Sequence, residues 1–321
     1  MEVMCLDKIE TYMELPYEMS GSRSKNRFRL EMLWGVCKIF EIYNEPDFAV
    51  IFDYKCDIEI HLQDSLEFYQ LKTHKVQSPY SFSSISKKDK KGRSVLGKLY
   101  MLKHLTKDKD ITVKVALVSN AYFKMDEKVY SNIETLKMEH IDEASLIKIK
   151  KALQDEFESQ DIDITNIHYI YTPMNLLEPE NEVKGKITGY FEKIKNCEPE
   201  KPNALYRLIV ETVNEKACYE LTLDTYDDIV RKKGITKNEL DRMLDKYVAK
   251  IDSAVEKTES YILENYQTLK ERRKLKSALR TVFSDSFSSQ LLRNKELEIA
   301  AYLNRGCSES SKHCNTSVFL I

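Results

Sequence analysis

With 321 residues, 42% of them hydrophobic, the chain can form one large domain or two ordinary ones around a substantial core. Charged residues make up 32%, yet the net charge is only −2. That balance excludes global polycationic attraction to nucleic acid, so any such contact must come from a local basic surface.

The first twenty residues are mixed in character and end in a predicted loop, Ser20-Gly21-Ser22. Leu30, Leu33, Trp34, Cys37 and Phe40 then recur at helical spacing, with Glu31, Lys38 and Glu41 outside the stripe, and Pro46 is expected to stop the helix. Residues 48–52 read as a buried strand. Residues 57–62 alternate, with Asp57, Glu59 and His61 on one face and Ile58, Ile60 and Leu62 on the other. Gln63-Asp64-Ser65 is turn chemistry, and 66–73 is the returning strand. A polar loop over 77–93 precedes a helix over 94–105, with Leu96, Leu99, Tyr100, Leu102 and Leu105 on its apolar side. A buried strand at 111–118, a helix near 144–157 and a strand at 167–171 complete a β–α–β arrangement. After Pro173 helical patterns dominate: 183–194, 204–216, 237–248 and a long stretch over 251–302. The tail from Arg305 reads as loose.

One constellation carries chemistry. A magnesium-dependent nuclease holds a hard cation with oxygen ligands beside the scissile phosphate, and a nearby lysine meets the negative charge that develops there. Gln70 and Lys72 are two apart in a strand and so project the same way, while Asp57 opens the strand before the turn. Asp57, the Gln70 side-chain oxygen and Glu31 on the preceding helix are candidate metal ligands, with Lys72 as the electrostatic partner.

The segments Phe52-Asp53-Tyr54-Lys55-Cys56-Asp57-Ile58-Glu59-Ile60 and Phe68-Tyr69-Gln70-Leu71-Lys72-Thr73 resemble the double-stranded-DNA endonuclease domain of bacterial anti-phage effectors. Such domains occur in CBASS effectors, in Lamassu-type systems and beside HerA-like ATPases. They belong to the PD-(D/E)xK superfamily, with glutamine in place of the usual acid of the second strand. The resemblance is best over about residues 20–120 and continues more loosely through 204–207 to 231–236. It implies an α/β fold: a restriction-endonuclease-like N-terminal domain, a mixed sheet flanked by helices, followed by an all-α region. It also implies catalytic roles for Asp57, Gln70, Lys72 and Glu31, and Mg²⁺ or Mn²⁺ as cofactor. The implied partners are double-stranded DNA and an SMC-like or HerA-like ATPase or sensor subunit, with a homo-oligomer as the active form. The domain division expected is a nuclease over 1–175, a helical partner-binding region over 176–305 and a tail over 306–321. Helices in the second half, in place of a nucleotide-sensing domain, favour control by a partner protein.

Other features have two readings each. Lys87, Lys88, Lys90, Lys91 and Arg93 are either phosphate-backbone contacts or an ordinary solvated loop. The helix that starts at Ser94-Val95-Leu96-Gly97 offers an N-terminus to a phosphate. Glu59 is expected to be a solvated strand-face carboxylate, and His61 and His74 to be surface histidines. Lys270 to Lys274 lies in a long charged stretch that suits either a partner or self-packing. Cys307, His313 and Cys314 fit no standard zinc spacing. Seven scattered cysteines without a CxxC pair suggest reduced thiols in a cytosolic protein. No signal peptide or apolar span is legible, and no GK[ST] loop, GxSxG elbow or HExxH motif occurs. The rival function is a degenerate nuclease fold that binds DNA or partners without cutting; an RNase or single-strand nuclease is a third.

Overall fold

Leu30, Leu33, Trp34 and Cys37 are all buried, and they lie on helix α1 (Ser20–Glu41). The helix starts at Ser20, so the segment expected to be a loop is its first turn. It ends at Glu41, five residues before Pro46. The computed structural model describes residues 12–73, 78–104, 110–174 and 177–248. The helix expected over 251–302, the tail over 306–321 with Cys307, His313 and Cys314, and His74 lie outside the described residues.

The chain forms two units, each assembled from separate stretches. The first takes its described residues from Met1–Trp34, Phe68–Lys107 and Val113–Leu176. It contains the end of β3 (Ser65–Leu71), then β5 (Thr112–Ser119), β9 (Ile167–Tyr171) and β8 (Thr135–Lys137) in that sheet order. Strands β5 and β9 are parallel, from Val115 opposite Ile167 to Ser119 opposite Tyr171, and β8 is antiparallel to β9. A parallel pair is covered on both faces, which is why residues 115–119 are buried without interruption. The link between them includes α4 (Glu143–Phe157), whose N-cap Asp142 accepts the Ser145 N–H. Helices α2 (Phe82–Ser86) and α3 (Val95–His104) precede β5. A second sheet has the order β4 (Tyr80–Ser81), β6 (Phe123–Met125), β7 (Lys128–Tyr130).

The second unit draws on Gly35–Glu67, Asp108–Thr112 and the described residues from Leu177 onward. Its strands are β1 (Ala49–Phe52), β2 (Ile58–His61) and β10 (Gly234–Thr236), with β1 in the middle and antiparallel to both. The helices are α5 (Pro179–Tyr190), which runs into a π-helical turn (Phe191–Lys195), α6 (Pro202–Ala217), α7 (Tyr226–Lys233) and α8 (Lys237–Asp245). In α6 the buried side chains are Leu205, Ile209, Val213 and Ala217, a four-residue repeat that gives one apolar stripe. Among the described residues from 177 onward helices dominate as expected, with β10 as an addition. The mixed sheet flanked by helices gives an α/β nuclease-type fold.

Lys233 explains how α7 meets β10. It is 2% exposed, and its ammonium donates to the Ala217 carbonyl at 2.8 Å and the Tyr219 carbonyl at 3.1 Å, closing the end of α6. Gly234 follows at once. A Cβ there would lie 2.6 Å from Ile51 Cδ1 and 2.8 Å from the Val230 carbonyl oxygen. Only a residue without a side chain lets α7 turn directly into a strand against β1. Gly234→Ala is therefore expected to destabilise the protein by about 1–3 kcal/mol, the usual cost of overpacking. A urea-unfolding midpoint equal to wild type would contradict this.

Candidate functional site

Strands β1 and β2 form a hairpin in which Ala49 faces His61 and Phe52 faces Ile58. Residues 53–57 are its loop, and Asp57 is the last of them, half-buried. Asp53 takes a positive φ of 48°, a left-handed conformation that short polar side chains tolerate. The Asp53 N–H donates to the Asp57 carbonyl at 2.9 Å, and the Tyr54 N–H to the Cys56 carbonyl at 3.2 Å.

Glu59 is not a solvated carboxylate. Its side chain is 2% exposed, and Oε1 accepts the backbone N–H groups of Lys55 and, at 3.3 Å, Cys56. Oε2 lies 3.3 Å from His61 Nε2. His61 is no surface histidine either: its side chain is 14% exposed, Nδ1 is 3.0 Å from the Tyr226 hydroxyl, and the two rings stack at 5.6 Å. Both expectations failed for one reason. Alternation gives the face of a strand, but not what covers that face.

In the first unit Phe68, Tyr69 and Leu71 are buried while Gln70 and Lys72 are half-buried. Lys72 is one residue past the end of β3, and its N–H donates to the Val118 carbonyl of β5 at 2.9 Å. That bond continues the strand line, so the alternation holds and Gln70 and Lys72 share a face. Glu31 is half-buried on α1, one turn before Trp34, whose ring meets the Tyr69 ring at 5.1 Å. Glu31, Gln70 and Lys72 thus belong to one unit and Asp57 to the other. None of Glu31, Asp57 and Gln70 is without a partner in the protein.

Two carboxylates and an amide oxygen are hard donors of the kind Mg²⁺ or Mn²⁺ takes while keeping several waters. Among the described residues no group of three or more His, Cys, Asp or Glu side chains is gathered for a metal.

The basic loop has an organiser within it. Asp89 accepts the N–H groups of Lys91 at 2.9 Å and Arg93 at 3.1 Å, and pairs with Lys98 at 2.6 Å. Lys98 and then the Arg93 N–H hold the Asp89 carboxyl down at about 2. Lys87, Lys88, Lys90 and Lys91 are exposed around it, although Lys88 also donates to the Asp155 carbonyl at 3.3 Å. Arg93 is half-buried, with its guanidinium 4.8 Å above the Phe157 ring and 4.0 Å from Glu156.

The helix after this loop is not an open phosphate site. The Glu156 carboxylate, 2% exposed, accepts the Ser94 N–H at 3.1 Å and the Ser94 hydroxyl at 2.6 Å. Ser94 Oγ in turn accepts the Gly97 N–H at 2.8 Å. The N-terminus of α3 therefore already holds an anion, one that belongs to the protein. A Cβ on Gly97 would fall 1.8 Å from Glu156 Oε1, so a glycine is what leaves room for it.

A family model described as "Cap4, dsDNA endonuclease domain" matches residues 19–217. The chain belongs to this family. The resemblance read in residues 52–60 and 68–73 is thereby borne out, and the chain carries a double-stranded-DNA endonuclease domain of the kind found in anti-phage effectors. Among curated proteins it is similar to the Lamassu protein LmuA of Bacillus cereus (strain VD014), 26% identical over 254 residues. That likeness covers 76% of this chain and 68% of LmuA. No solved structure matches it.

The Cap4 match contains Glu31, Asp57, Gln70, Lys72 and the basic loop, and it runs past residue 175 to the end of α6. Tyr226, against His61, lies beyond it. Among the described residues no helix is long and apolar enough to cross a membrane. Sequence reading missed Glu59, Tyr226 and Glu156 as working groups. Only Asp89, an acid inside a lysine run, left a local signal. Two outcomes check the loop. A carboxyl held low favours the folded loop above its unfolded value near 3.9 and stops doing so as pH falls through about 2. The Lys91 and Arg93 amides should therefore lose exchange protection between about pH 4 and 2; protection unchanged across that range would remove Asp89 from its role. Gly97→Ala should displace Glu156 and lower stability by about 1–3 kcal/mol in thermal unfolding.

Proposed function

We propose that this Cap4-type domain hydrolyses phosphodiester bonds of double-stranded DNA with Mg²⁺ or Mn²⁺, as the effector of a bacterial anti-phage defence system in the cytoplasm. The observation that supports this most is the family match, which spans Asp57 and the Gln70-Leu71-Lys72 strand. In this reading the PD-(D/E)xK roles fall on four residues. Asp57 and Glu31 offer carboxylates and Gln70 an amide oxygen to the metal. Lys72 holds its ammonium against the phosphate, where it offsets the charge that builds up in the transition state. When bound, the metal supplies Lewis acidity and a water of lowered pKa. Lys87, Lys88, Lys90, Lys91 and Arg93 contact the DNA backbone, which gives affinity with little sequence preference.

Control is assigned to residues 176–305, as a docking surface for an SMC-like or HerA-like ATPase or sensor subunit and as the basis of a homo-oligomer. The name of the similar LmuA, a Lamassu protein, supports a multi-component system. A second reading, a DNA- or partner-binding module that does not cut, is favoured by one feature: the uncharged Gln70 where an acid is usual.

The test is plasmid cleavage with Mg²⁺ or Mn²⁺, with and without the partner subunit. Asp57→Ala should lose at least about a hundredfold in rate, and Lys72→Ala a comparable amount, as for loss of one transition-state contact. Gln70→Glu should lower the metal concentration needed for half-maximal rate. Wild-type rates from Lys72→Ala would remove that lysine from the mechanism, and binding without any cleavage would leave the second reading.

A further inference from the structure

We propose that Glu59 is a positioning residue for the candidate site, bracing the loop that presents Asp57 and taking no part as a metal ligand. The inference rests on the nuclease reading above, since it concerns how Asp57 is held.

A carboxylate withdrawn from water costs several kcal/mol unless donors replace its hydration. Glu59 has those donors, and two of them are the backbone N–H groups of Lys55 and Cys56, inside the Asp57 loop. Both bonds go to the same oxygen, Oε1. The remaining oxygen faces His61 Nε2. A carboxylate only accepts, so Nε2 carries the proton and donates. In a ring with one proton Nδ1 is then the acceptor, and the Tyr226 hydroxyl donates to it. Burial, with the carboxylates of Asp47, Asp227 and Glu59, raises the pKa of the Tyr226 phenol and keeps it a donor.

Donation therefore runs from Tyr226 through His61 to Glu59, and the two loop N–H groups converge on the same carboxylate from the other side. A second tie reinforces it: the Tyr54 hydroxyl donates to the Leu223 carbonyl at 3.3 Å, three residues before Tyr226. The buried Lys233 ammonium, at the other end of the same helix, feels the charges of Asp53 and Glu59. Residues 223–233, all within the second half of the sequence, thus tie the five-residue loop that ends in Asp57 at Tyr54 directly and at Lys55 and Cys56 through His61 and Glu59. With Oε1 taken by two N–H groups and Oε2 facing an imidazole, both oxygens of Glu59 have partners in the protein without a metal.

The experiment compares Glu59→Ala, Glu59→Gln and Tyr226→Phe in the full chain with its partner. Three quantities are read: kcat and KM on plasmid DNA, the Mn²⁺ concentration for half-maximal rate, and amide exchange at Lys55 and Cys56. Glu59→Ala should lose about ten- to a hundredfold in kcat, as outer-shell changes do, with KM for DNA little moved and faster exchange at both amides. Glu59→Gln keeps an oxygen for the two N–H groups, so it should recover most of the rate and the exchange protection at an unchanged Mn²⁺ requirement. Tyr226→Phe should show a smaller loss of the same kind. A glutamine variant as inactive as alanine, with a raised Mn²⁺ requirement, would make Glu59 a ligand and overturn the proposal. Unchanged exchange at Lys55 and Cys56 in Glu59→Ala would overturn it as well. If Glu59→Ala does not fold, the Glu59→Gln and Tyr226→Phe results decide. If wild type cuts no DNA, the nuclease reading fails, while the exchange result still decides whether Glu59 braces the loop.

Discussion

A charge taken out of water must find partners, and in this protein the partners are mostly backbone groups at the ends of loops and helices. Glu59, Glu156 and Lys233 are each about 2% exposed. Glu59 closes the hairpin loop, Glu156 closes the start of α3, and Lys233 closes the end of α6. Each site joins a side chain to backbone that would otherwise lie buried and unpaired, which is costly. Glu59 adds to the internal bonds of the loop 53–57, and Glu156 anchors Ser94 just after the loop 87–93, which its own Asp89 organises.

The same constraint shapes where positive charge is available. With a net charge of −2, the chain has no surplus of cations to spread over its surface. In the basic loop Asp89 pins the turn, Arg93 leans on Phe157, and Lys98 is paired. The lysines at 87, 90 and 91 remain outward on a loop of defined shape. In the proposed DNA contact, a phosphate backbone would meet lysines on a loop backbone that is already ordered, which reduces the ordering cost of binding. The helix N-terminus beside them adds nothing to that attraction, because Glu156 already neutralises it.

Much of the α/β framework was legible from periodicity. Residues 30–40 carry a helical stripe, 57–62 alternate, 111–118 read as a buried strand and 167–171 as a strand, against the observed 20–41, 58–61, 112–119 and 167–171. The strands at 80–81, 123–125, 128–130 and 135–137 were not legible, since two or three residues cannot display a period. Strand β10 is of the same kind: Gly234-Ile235-Thr236 looks like a helix break, and it becomes a strand only because β1 offers it an edge. Of the site, the two-residue step from Gln70 to Lys72 was readable, and the Lys72 bond to Val118 keeps that register.

The sequence by itself determined the local facts: which residues lie on a common face, where apolar runs must be buried, and, through the hairpin motif, the endonuclease family. Tertiary structure alone decided what each polar residue does. His61 finds Tyr226 across 165 positions, Ser94 finds Glu156 across 62, and Lys233 finds Ala217 across 16. Backbone geometry fixes side-chain direction within a few residues, so a period is visible in one stretch of chain. The partner that satisfies a buried charge comes from wherever the fold brings a donor or acceptor, and no local pattern records it.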